Sequence, residues 1–270
     1  MRTVALQTSG RIQGPIRRLL SPGDIGQLIK PFVFLDLATP LPGPSGFLRW
    51  HPHSGIATIT VIVKGAVRYQ ETTGTSGVLG AGAVEWMASG KGVWHTGAPI
   101  GADQLLGLQL WVALDPELES RPPASQYLDP GSVPSIGPAR VLLGEYEGVC
   151  SPIHSPKGLT YLDVRLGRDE RWTFTPPAGQ TVAWLAVHQG AINGTASAAY
   201  GDIVVFEESD EAIEISAQND VGLVIGAAVK SPHDLHIGPY SVHTSADALL
   251  QGEAEIARLA EELRAQGILS

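Results

Sequence analysis

The sequence predicts an all-β chain of two antiparallel barrels or sandwiches in tandem, finished by a helical segment. Three observations carry that expectation. Short β-branched runs recur between turns, in a chain of 270 residues that holds 32 Gly and 20 Pro. The second half repeats the strand and turn order of the first. Only the C-terminal stretch has a helical period.

The strand pattern begins at Arg49. Ile56 to Val63 is β-branched and stops at Lys64-Gly65, and Ala66 to Gln70 reads as the next strand. Thr73-Gly74-Thr75-Ser76-Gly77 and Gly80-Ala81-Gly82 are turns, with Ala83 to Met87 a strand after them. Ser89-Gly90-Lys91-Gly92 turns the chain into Val93-Trp94-His95, and Leu105 to Leu114 is a long apolar strand. The Pro-rich stretch 115–138 is read as a linker. Val141 onward, Leu159–Leu166, Trp172–Thr175, Thr181–Val187, Gly201–Phe206, Ala212–Ser216 and Val221–Val229 are the later strands. The expected division is therefore 1–130, a barrel holding the histidines, and 131–270, a barrel without them plus the C-terminal helix.

The repeat aligns Gly65-Ala66-Val67 with Gly190-Ala191-Ile192, and Gly82-Ala83-Val84 with Gly201-Asp202-Ile203. Near the C-terminus, Ile256, Leu259 and Leu263 share a helical face. Thr244 with Asp247 resembles a capping box, Gly267 a stop, and Gly252 a point where the helix could break.

Composition narrows the function classes. Net charge is −9 with no basic run, which argues against nucleic acid as a partner. No apolar stretch reaches the length of a membrane span, and Met1 to Leu20 lacks the apolar core of a secretory signal. The expectation is a cytoplasmic protein. The single cysteine, Cys150, excludes an internal disulfide and a Cys-rich zinc site, and is read as a buried inert thiol.

The residues with chemical potential are His51-Pro52-His53. Strand side chains alternate, so residues two apart share a face and two imidazoles can chelate one metal. His95, after a Gly-rich turn, is the third candidate. His154, His188 and His243 show no chelating spacing. His233 and His236 sit between Pro232 and Gly238, so that stretch reads as a loop with surface histidines. Trp50, Trp86 and Trp94 read mainly as core, with one of them available to line an aromatic pocket. Gln109 and Trp111 share a face and either could reach the cavity.

With Gly46 upstream and Gly65 downstream, the histidines resemble the cupin pattern. The likeness narrows further. His51-Pro52-His53-Ser54-Gly55-Ile56-Ala57-Thr58 resembles the pirin signature His-Pro-His-Arg-Gly-Phe-Glu-Thr. Glu85-Trp86-Met87-Ala88-Ser89-Gly90-Lys91-Gly92 before His95 resembles the second pirin motif, which opens on Gln. Gly107 to Val112, Ser125-Gln126-Tyr127 and Gly238-Pro239-Tyr240 match further pirin stretches. The resemblance implies two stacked cupin barrels with a metal in the first, held by His51, His53 and His95. It implies Fe(II) as the metal, with Zn, Ni, Mn or Cu as alternatives. It also implies a quercetin 2,3-dioxygenase type of oxidoreductase on a flavonol-like aromatic, or a regulatory scaffold with a protein partner.

Two departures bear on this. The family's fourth ligand, a glutamate, falls at Gly97, and its other motif glutamate falls at Ala57. Three neutral imidazoles around a divalent ion leave a site of net charge +2, open to water or an anionic ligand. The expectation is weaker metal binding and weak or absent quercetinase activity, with Glu85 as a carboxylate that could compensate.

Overall fold

The computed structural model describes residues 2–39, 48–101 and 104–269. Gly46 lies outside the described residues. The chain forms two compact units, and neither is one stretch of sequence. One comprises 21–27, 32–130 and 232–270 and is called here the histidine unit; the companion unit comprises 1–20, 28–31 and 131–231. This differs from a single cut after residue 130 at both ends of the chain. Strand Val4–Thr8 pairs with Ile203–Phe206 in the companion unit, and the C-terminal helix packs on strand Val93–Ile100 in the histidine unit.

In the histidine unit, antiparallel strands run in the order Ala124–Leu128, Val84–Ala88, Ile56–Lys64, Leu106–Ala113 and Phe32–Ala38. A second sheet runs in the order Leu48–His53, Val93–Ile100, Ala66–Glu71 and Ser76–Gly80. The two are separate sheets packed through their inner faces, as in a jelly roll, and not one closed ring of hydrogen bonds. Ile62, Leu79, Ala83 and Leu105 form a small buried apolar cluster, with Val67, Tyr69 and Tyr127 packed against it.

The companion unit has the same plan. Strands Val4–Thr8, Ile203–Phe206, Val182–Gln189, Val221–Ala228, Leu159–Leu166 and Ala139–Leu143 lie side by side. The smaller sheet runs Arg171–Phe174, Ile213–Ala217, Ala191–Gly194 and Ala198–Ala199. The repeat read from glycine placement is thus a repeat of topology. Gly65 and Gly190 turn between matching strands at φ +80° and +73°, and Gly82 and Gly201 at +82° and +85°. Those backbone angles favour a residue without Cβ, so the four glycines were the durable part of the signal.

Strand register corrects the expected equivalents. Carried along the repeat, the histidine pair falls at about Pro176 and Ala178, and His95 falls near Glu214. His95 pairs with His51, and the matching pair in the companion unit is Ile213 with Phe174. Both are fully buried in that unit's apolar core. The place taken by imidazoles in one unit is therefore filled by hydrocarbon in the other.

Several local expectations also change. The stretch read as a linker carries helix Pro116–Glu119 and strand Ala124–Leu128, which pairs with Val84–Ala88. A lone edge strand flanked by prolines has no alternation strong enough to be seen. Phe32–Ala38 lacks alternation because it is an apolar run interrupted only by Asp36, buried along nearly its whole length. Helix Ala246–Ala265 continues unbroken through Gly252. Its N-cap is Ser245, whose hydroxyl accepts from the Ala248 amide, while Ile256, Ala260 and Leu263 are buried. Gly267 follows the helix at φ +72°, as a stop should. Cys150 is exposed rather than buried, at the end of the short strand Val149–Cys150. Among the described residues no helix is long and apolar enough to cross a membrane.

Candidate metal centre

His51 and His53 lie on the same face of strand Leu48–His53, and His95 lies directly opposite His51 on strand Val93–Ile100. Period-two alternation and antiparallel register together aim all three rings into the unit. One nitrogen from each ring falls within 4.8 Å of the others. Ring centroids are 4.3 Å apart for His51 and His95, and 5.0 Å for each of the other pairs. His53 and His95 are buried and His51 is half-buried, so the cluster is most open on the His51 side.

The hydrogen bonds decide which nitrogen His51 and His53 present. His51 Nδ1–H donates to the Arg49 carbonyl at 2.7 Å, and His53 Nδ1–H to the Tyr240 carbonyl at 3.1 Å. A carbonyl accepts only, so each Nδ1 carries the proton and each Nε2 keeps its lone pair. His53 Nε2 and His95 Nε2 are buried with no hydrogen-bond partner. Two buried, unpartnered ring nitrogens facing a third imidazole are costly unless something binds them. Burial disfavours the imidazolium form at all three: His53 is pushed down to about 3, His95 goes well below its usual value, and His51 is lowered. Neutral imidazoles with free lone pairs are the donor set that a divalent transition metal takes.

The wall opposite the cluster is aromatic. Trp111 meets the His53 ring edge-on at 4.8 Å and stacks on Phe34 at 4.0 Å. Gln109, on the same face, donates to Thr60 Oγ1 at 3.3 Å. Of the three tryptophans near the motifs, Trp86 is core, while Trp50 and Trp94 are half-buried on the outward side. Trp94 Nε1 donates to the Ile256 carbonyl of the C-terminal helix at 2.8 Å.

The two positions at which the motif resemblance implies a carboxylate, 57 and 97, are not equivalent. Thr58 pairs with Trp111, so the Thr58 face of its strand looks toward the histidines. Ala57 points to the opposite face, and a glutamate there would not reach the cluster. Gly97 shares the face of His95, so of the two positions it is the one beside the site.

Two other carboxylates enter the interior. Glu71 is the register partner of His95 and therefore shares its face. It accepts hydrogen bonds from Thr73 Oγ1 and Ser125 Oγ, each at 2.8 Å, and from Tyr127 Oη. Tyr127 stacks on Tyr69 at 4.2 Å, and its Oη lies 3.4 Å from Glu85 Oε1. Burial raises the Glu71 carboxyl against the pull of its donors. Glu85 is buried and pushed up to about 7, first by desolvation and then by the nearby Glu71 charge, with a Thr60 hydrogen bond opposing. The sequence reading named Glu85 but missed Glu71, one residue past the strand end it assigned.

The histidines outside the cluster divide. His154 is exposed. His236 lies on the short strand His236–Ile237, paired with Val242–His243. His188 and His243 are buried, bonded to Asp163 at 3.3 Å and Glu119 at 3.0 Å respectively.

Comparison with known proteins agrees with this geometry. The family model described as Pirin matches residues 15–112. A pirin-like protein of Caulobacter vibrioides is 31% identical over 235 residues, which cover 81% of this chain and 83% of that protein. A crystal structure described as quercetin 2,3-dioxygenase from Acinetobacter baumannii superposes with a TM-score of 0.88 at 21% identity, covering 96% of this chain and 97% of that one. The bacterial pirin YhhW of Escherichia coli, solved in complex with nickel(II), superposes with a TM-score of 0.65 at 19% identity, covering 85% and 98%. At those identities the two structures speak for the cupin-type fold alone. The Caulobacter relative, alike over four fifths of both chains, carries the assignment further: this chain belongs to the pirin family.

Proposed function

We propose that the histidine unit holds one divalent transition metal on His51, His53 and His95, and that the centre serves a small hydroxylated aromatic ligand of the flavonol kind. The observation that carries this reading is the pair of buried, unpartnered Nε2 atoms of His53 and His95, converging with His51. A metal held there supplies Lewis acidity toward the oxygens of such a ligand and a redox site for dioxygen. The family resemblance favours Fe(II), and the nickel(II) complex of the E. coli pirin supports a site tolerant of other divalent ions.

The chain's own residues do the rest. Nδ1–H bonds to the Arg49 and Tyr240 carbonyls orient the rings. Trp111 and Phe34 give the interior a flat apolar wall that suits an aromatic ring and excludes water. A base is the weak part. Gly97 offers none, and Glu71, the carboxylate in register with His95, is tied to three hydroxyls. Dioxygenase turnover of quercetin is therefore expected to be slow relative to a pirin with a carboxylate at position 97.

Gly97 also supports a second reading, in which the metal has a regulatory use in a binding scaffold. Metal analysis of protein purified without chelators, with quercetin turnover measured on the same samples, separates the two. Stoichiometric metal that His51→Ala abolishes, with slow turnover, supports the enzyme. Metal without turnover supports the scaffold, and no metal above the variant's level overturns both.

A further inference from the structure

The C-terminal segment supplies a chain of buried hydrogen bonds that ends beside a cluster histidine. Glu119, on helix Pro116–Glu119, is buried and bonds three donors: His243 Nδ1–H at 3.0 Å, the Thr244 amide at 2.9 Å and Thr244 Oγ1–H at 2.6 Å. At the other side of the ring, His243 Nε2 lies 3.0 Å from Ser54 Oγ, which lies 2.9 Å from Ser241 Oγ. Ser54, Ser241, His243 and Glu119 are all buried.

Serine, imidazole and carboxylate in that order resemble a hydrolytic triad, but Ser54 has no exposed surface for a substrate to reach. The chain has a different geometric consequence. It fixes segment 240–244 against the strand end that carries His53. Ser54 bridges in parallel to Ser241, and the Val242 amide donates to the Ser54 carbonyl at 3.3 Å. That anchors the Tyr240 carbonyl, the acceptor of His53 Nδ1–H.

Two glycines let the segment sit this close. A Cβ at Gly55 would collide with the Val242 carbonyl and the His243 ring, and Gly55 also has φ +74°. A Cβ at Gly252, on the C-terminal helix, would strike His243 Nε2 and Ser54 Oγ. Strand, segment and helix thus meet on the Ser54–His243 contact, with no room left for a methyl group.

We propose that Glu119 and His243 are positioning residues for the histidine cluster: through Ser54 they hold the Tyr240 carbonyl on His53 Nδ1, which leaves Nε2 of His53 bare and aimed into the cluster. The role rests on the metal-centre reading above. Its immediate effect, the ring orientation and tautomer of His53, exists without a metal and is measurable without one.

The test uses the full chain with histidine labelled in 15N. In metal-free wild-type protein, His53 should show a protonated Nδ1 and an unprotonated Nε2. In Glu119→Gln and His243→Phe, the His53 signals should move toward the average of two tautomers. Nickel(II) affinity should fall about 10–100-fold, as when an outer hydrogen-bond partner of a ligating histidine is removed. Ser54→Ala removes the hydroxyl that joins His243 to Ser241 and carries the same expectation, should either other variant fail to fold. Folded variants whose His53 signals are unchanged, or whose nickel(II) affinity equals the wild type's, would overturn the proposal. Wild-type protein that takes up no nickel(II) would instead sink the metal reading, and the tautomer comparison would still decide the positioning role.

Discussion

Glu85 makes the stability of this protein depend on pH in a direction that one substitution can isolate. Its carboxyl is buried on the inner face of strand Val84–Ala88, 3.4 Å from the Tyr127 hydroxyl that Glu71 already occupies. In the unfolded chain the group releases its proton near 4.5, while in the folded protein it holds the proton until about 7. Between those values the native state binds more protons than the unfolded state, so stability falls as pH rises. The contribution is fully present below about 4.5 and is lost as pH rises through about 7. At 1.36 kcal/mol per unit, the interval corresponds to about 3 kcal/mol.

Glu85→Gln keeps the shape and removes the titration. Urea unfolding of both proteins from pH 5 to pH 8.5 should give similar stabilities at the acid end. By the alkaline end the variant should be more stable by about 2–3 kcal/mol, because only the wild type must bury a carboxylate beside Glu71. Every other group titrates in both proteins, so the difference curve belongs to Glu85. Parallel curves across that range would refute the reasoning and mean that water or a cation reaches the carboxylate.

Other substitutions test other parts of the structure. His53→Ala should remove bound metal entirely, while Ala57→Glu should leave metal content unchanged because position 57 faces away from the cluster; elemental analysis of both variants checks this. Gly97→Glu places a carboxylate on the cluster's face and should tighten nickel(II) binding on the order of tenfold by calorimetric titration. Gly252→Ala gains about 1 kcal/mol of helix propensity. It should still lower thermal stability by about 1–2 kcal/mol overall, because the methyl overpacks His243 and Ser54.

Legibility of the site in the sequence follows the range of the interactions that build it. The His51 and His53 pair is local: two residues of one strand share a face, and no tertiary information is needed to see it. His95 required the motif, since only register places it opposite His51. Glu71 required the same register and the last residue of a strand, where boundaries are least readable. Tyr240 stands in a motif match, but its role at the site is not readable there, for a different reason. It serves through its backbone carbonyl, 187 residues from His53, and every residue has a carbonyl. The fold was legible where glycine turns punctuate β-branched runs, and illegible at Phe32–Ala38 and Ala124–Leu128, which lack alternation.

Ala57 is the instructive failure. It lies four residues after His53, and counting by twos along one strand would set it on the histidine face. The count does not survive Gly55, whose φ of +74° turns the chain out of one sheet and into the other. From Ile56 onward the strand belongs to the opposing sheet, and its inward residues are Thr58, Thr60 and Ile62, facing Trp111, Glu85 and the small apolar cluster. Parity is a property of a strand and not of a motif. A signature that spans a turn therefore mixes residues that face the histidine cluster with residues that pack the far side of a sheet. Position 57 belongs to packing and position 97 to the face of the cluster, so of the two only a carboxylate at 97 would stand beside the histidines.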